Sequence, residues 1–165
     1  FYGDVVKLAN TGLLVQDTGT DAATPVGVLL GCSYTDPTYG KTFRQYYPGA
    51  VNASDIVAFV ADDPDQLFKV AVVSGTTVVT YVNRTSVGNN ALLVQNVGST
   101  ITGNSAVAIL ATTATTNTYP IRIIDVIPDT AIAGYPGSYT EVILKWNAPT
   151  TGAVGGHQYH QPTGV

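Results

Sequence analysis

Apolar residues recur along this chain in runs of strand length, separated by turn-forming residues. The runs are "GDVVKL" (3–8), "PVGVLLGCSY" (25–34), "KTFRQYY" (41–47), "DIVAFVAD" (55–62), "QLFKVAVV" (66–73) and "TTVVTYVN" (76–83). Three more follow, "SAVAILA" (105–111), "YPIRIIDVI" (119–127) and "YTEVILKW" (139–146). β-Branched residues dominate them, which lowers helix propensity and favours a pleated, half-buried surface. Only "NNALLVQNV" (89–97) has the apolar spacing of a helical turn or two. The pattern predicts an all-β protein, a single-domain β-barrel or β-sandwich of short, mostly antiparallel strands.

In the middle runs apolar residues occupy both faces, as expected for strands covered on both sides. Between 55–62 and 66–73 lies Asp63-Pro64-Asp65. Proline pre-sets φ for a turn, and the preceding Asp can accept a backbone N–H. Gly75 in "VVSGTTVV" supplies a second tight connection. Residues 55–83 therefore read as a three-stranded meander whose first turn is the acidic run.

Composition narrows the function. Charged residues are 11% of the 165 and hydrophobic residues 45%, so Thr, Ser, Asn and Gly stand where charge usually does. The net charge is −4, and the seven Lys and Arg are scattered, which predicts no direct nucleic-acid binding. No apolar run has the length of a membrane span. The lone Cys32 sits in an apolar run and reads as a buried, inert thiol.

Three of the eleven acidic residues, Asp62, Asp63 and Asp65, fall within four positions. They could hold a cation or supply a carboxylate pair. A calcium loop needs further oxygen ligands at set spacing, and a general acid needs desolvation that a turn tip lacks. The run reads as a turn. His157 and His160 lack an accompanying Cys or carboxylate, so no metal site is expected there. Nucleophile, phosphate-loop and dinucleotide motifs are missing, and the expectation is a protein without catalysis, cofactor or metal.

The aromatic residues could fill the core or meet a partner. Tyr39, Phe43, Tyr46 and Tyr47 crowd into "YTDPTYGKTFRQYYP", and adjacent Tyr on a strand face opposite ways, so one of Tyr46 and Tyr47 should face outward. After Trp146 the strand pattern stops. We read 1–149 as the domain and 150–165 as an extended C-terminal arm, hinged at Gly155-Gly156. Tyr159 would be its anchor on another chain, with His157 and His160 as hydrogen-bonding partners.

The order of several landmarks resembles a family of small capsid-associated structural proteins of tailed bacteriophages. They are "GDVVKL" (3–8), "GVLLGCSYTDPTYGK" (27–41), "YYP" (46–48), "DIVAFVADDPDQLFKV" (55–70), "SVGNNALLV" (86–94), "GSTITGNSAVAI" (98–109), "IRIIDVIPDT" (121–130) and "EVILKW" (141–146). Residues 115–117 and the terminal tail fall outside the pattern, and Thr130 stands where the family usually has Asn. The resemblance implies a non-enzymatic cement or decoration protein on the phage head surface. Its partner would be the major capsid protein, and it would assemble as a homo-oligomer, a trimer being favoured. The alternative is a virion adhesin, a receptor- or glycan-binding module on head spikes or tail.

Overall fold

The structure, a computed structural model, describes residues 1–130, 138–148 and 155–161. It is all-β, built as a five-stranded sheet followed by a barrel. The sheet comprises β1 (Val5–Leu8), β2 (Leu14–Gln16), β3 (Gly27–Asp36), β4 (Gly40–Arg44) and β5 (Val57–Ala61). β3 is its spine. One edge of β3 pairs first with β1 and then with β4, and the other edge pairs with β5, all antiparallel.

The second half contains β6 (Phe68–Ser74), β7 (Val78–Val79), β8 (Val82–Asn83), β9 (Asn90–Val94) and β10 (Ala108–Ala114). After these come β11 (Ile121–Val126), β12 (Ser138–Tyr139) and β13 (Glu141–Trp146). Pairing runs β6-β10-β9-β11-β13 and back to β6, so five strands close on themselves. The seam is the parallel pair β10–β6, with Ile109 opposite Val72. β7 extends β6 as a hairpin, and β8 pairs separately with β12.

Strand periodicity explains the filling. Ile121 and Ile123, like Val142, Leu144 and Trp146, alternate with exposed or half-buried neighbours, so one side of each strand lines the barrel core. A bulge in the β11–β13 pairing between Ile123 and Asp125 adds one residue, so Val126 rather than Asp125 is the next inside. Val5 and Val28 bring one face of the first sheet onto this core. The opposite face holds a smaller cluster around Val6, Val26 and Leu29.

Three sequence expectations change here. Residues 89–97 form no helix, because Asn90–Val94 is strand β9, paired on both sides inside the barrel. Nor is 55–83 a meander. β5 pairs with β3 and β6 with β13 and β10, so the acidic turn carries the chain from sheet to barrel. The β6–β7 hairpin stands as read, with Gly75 at φ +79°.

The third change concerns the C-terminal segment, described over 155–161. It lies along its own domain rather than reaching away. Gly156 N–H donates to Ala23 O (2.9 Å), His157 N–H to Asn147 O (3.1 Å) and Gln158 N–H to Pro25 O (2.8 Å). The Gln158 amide bonds both backbone groups of Leu8, at 2.8 and 3.0 Å. The glycine pair is a close approach, not a hinge. A Cβ on Gly155 would stand 2.5 Å from Thr118 O. These bonds and the burial of His157 offset backbone entropy of about 1–2 kcal/mol per residue. The rest of the predicted arm, 150–154 and 162–165, lies outside the described residues.

Candidate interaction surface

The face of the first sheet that packs Val28 on the barrel continues past it and loses its cover. Period-2 alternation through the bulge between Leu29 and Gly31 places Gly31 and Ser33 on that face, with Phe59, Val57 and Phe43 as their cross-strand neighbours. Phe43 is 60% exposed, Val57 51% and Phe59 46%. The two Phe rings meet at 5.7 Å between centroids. Gly31, at φ +142°, makes room for them, since a Cβ there would lie 2.7 Å from the Phe43 ring.

The patch is rigidly mounted. Asp36 Oδ1 accepts the N–H groups of Thr38 and Tyr39 and shapes the β3–β4 turn, which closes with Gly40 at φ +76°. Asp55 accepts from Thr35 N–H (2.9 Å), Thr35 Oγ1 (2.7 Å) and Lys41 Nζ (2.9 Å). The Lys41 bond and then those from Thr35 hold its carboxyl well below the usual carboxylate range. The segment entering β5 is thus tied to the hairpin carrying Tyr39 and Phe43.

The predicted partner-binding residues divide clearly. Tyr39 is 74% exposed at the turn tip, and Phe43 lies on the patch. Tyr159 is 54% exposed and donates its hydroxyl to Asp62 Oδ2 (3.1 Å). It shares with Leu30 and Phe59 a shallow depression of about 490 Å3. Burial, and then the Asp62 carboxylate, raise its phenol pKa.

Tyr46 and Tyr47 depart from the expectation, because β4 ends at Arg44 and strand alternation does not reach them. Both are half-buried. Tyr46 stacks on Phe1 at 5.4 Å. Tyr47 meets Tyr34 edge-on at 5.1 Å, donates its hydroxyl to Val51 O and accepts Ala53 N–H (3.3 Å). His157 is fully buried, and its Nδ1 accepts Tyr159 N–H (3.2 Å), so its ring supports the segment rather than meeting a partner. Desolvation lowers its pKa. His160 is exposed, 6.0 Å from the His157 ring.

Sequence reasoning missed Phe59 and Val57, which looked covered on both sides. The signal that could have placed them is cross-strand register, which a single sequence does not display.

The acidic run is a turn. Asp63 Oδ1 accepts Asp65 N–H (2.8 Å) and Asp63 O accepts Gln66 N–H (3.0 Å). Asp65 pairs with Lys145 (3.1 Å). Cys32 is buried, and desolvation raises its thiol pKa. Among the described residues no three His, Cys, Asp or Glu are grouped so as to hold a metal ion.

The chain matches no protein-family model, no curated protein and no solved structure.

Proposed function

We propose that this protein is a non-enzymatic virion structural component. It binds the outer surface of a phage capsid and cements neighbouring capsomers, acting as a homo-oligomer with a trimer favoured. The observation that carries the reading is the uncovered aromatic and aliphatic face of Phe43, Val57 and Phe59, mounted on tied strands beside Tyr159. Aromatic side chains that lose little entropy on docking suit the centre of a protein interface. The landmark order quoted above supports a capsid setting. Repetition over a shell turns a modest contact into firm attachment.

Copy number tests the reading. A cement protein is present in purified particles in numbers comparable to the capsomers, and a tail adhesin in a few copies. Gel densitometry against the major capsid protein separates them. A joint Phe43→Ala, Phe59→Ala change should leave a folded protein with at least tenfold fewer copies per particle. Undiminished occupancy would remove this face from the attachment.

A further inference from the structure

Away from the aromatic face, a cleft of about 260 Å3 opens at one end of the barrel wall. Arg122, Lys145 and His160 line it, together with Asn90, Trp146 and Asn147. The chain carries eleven acidic residues against seven basic ones, yet two of the seven line this cleft and no Asp or Glu does.

The two cations are direct cross-strand neighbours in the β11–β13 pair. Like charges so placed repel, and a fold retains the arrangement most easily where an anion can sit between them. Lys145 is partly relieved by Asp65 at 3.1 Å. Among the described residues, Lys7, Lys41, Arg44, Lys69, Arg84 and Lys145 each have an ion pair, and Arg122 has none. Its Nε–H donates to Asn90 Oδ1 (3.1 Å), and Asn90 is in turn fixed by donating to Thr116 O (2.7 Å). The guanidinium is therefore tethered at Nε, with no counter-charge among the described residues. The indole N–H of Trp146, 3% exposed, has no acceptor among the described residues.

The geometry points to a carboxylate-binding site, in which a carboxylate docks on Arg122 and Lys145. A planar guanidinium fork matches a carboxylate, and the immobilised plane lowers the ordering cost of binding. The cleft is smaller than the usual 300–1,000 Å3 of a drug-sized ligand site. It suits one acidic side chain of another protein chain or one small sugar acid. This inference stands independently of the virion reading.

The only tryptophan in the chain lines the cleft, so its fluorescence reports occupancy. The probes are the Glu side-chain mimic N-acetylglutamate N-methylamide, its glutamine counterpart, glucuronate and inorganic phosphate. A saturable emission change with the glutamate derivative but not the glutamine one is expected, weakening as salt is added. Arg122→Gln should weaken it at least tenfold, and Arg122→Lys should retain part of it, both with unchanged melting. Tighter binding of glucuronate would identify the source as a sugar acid rather than a side chain, within the same chemistry. A silent response to both carboxylates, an equal response in Arg122→Gln, or tighter binding of phosphate would overturn the assignment.

Discussion

The barrel and the first sheet are built from similar strands but bury them differently. In the barrel, β6, β9, β10, β11 and β13 find partners on both edges, and residues such as Ile109, Ile121 and Leu144 are 0–2% exposed. In the sheet, β5 is paired on one edge only among the described residues, and one of its faces shows Val57 and Phe59 to solvent. Closure commits the inward-facing apolar side chains of the barrel strands to the core. An open sheet leaves apolar surface uncommitted, and that surface can serve recognition. Apolar residues of one type therefore have different roles in the two halves.

Truncation in each half tests this contrast. Leu144→Ala in the barrel should cost about 2–5 kcal/mol, and Phe59→Ala on the sheet no more than about 1 kcal/mol, in urea unfolding. Equal losses would make Phe59 a core residue and remove the distinction. A smaller effect is expected at the one place where the open face is shaped by backbone. Gly31→Ala puts a Cβ 2.7 Å from the Phe43 ring at φ +142°. It should cost about 1–3 kcal/mol and shift Phe43 and Phe59 resonances while leaving those of the barrel methyls in place.

The smallest effect concerns the segment that ties the two halves together. Burial holds the folded pKa of His157 below its unfolded value of about 6.5. The unfolded chain then binds the proton more readily. The contribution of neutral His157 is present above about pH 6.5 and is lost as pH falls through the folded pKa. Melting temperature should drop as pH falls below about 6.5, and His157→Asn, which keeps an acceptor for Tyr159 N–H, should flatten that drop. An unaltered slope would exclude His157 as its source.

Most strands were legible because their residues are β-branched and bounded by turn formers. The acidic turn was legible from Pro64 and its flanking Asp residues. Partner choice between strands was not, since a turn such as Asp63–Gln66 can return a chain to its neighbour or pass it to another layer. Residues 90–94 carry Ala and Leu at helix-compatible spacing, and pairing on two edges overrode that local preference. At the C-terminus, the same Gly155-Gly156 pair that permits a hinge also permits close packing. Only the positions of Thr118 O and Ala23 O decide between them. Of the candidate surface, the exposure of Tyr39, Phe43 and Tyr159 was readable. Tyr47 and His157 were not, because their burial comes from residues far away or off the strand.

Gln158 closes on Leu8 across 150 positions of sequence. A ribosome adds about 5–20 residues per second, so Leu8 waits about 8–30 s for the side chain that satisfies its backbone. During that interval its N–H and C=O must be satisfied by water or another partner. The nascent protein is thus open to mispairing along β1, and an early stop before residue 158 would make that temporary exposure permanent.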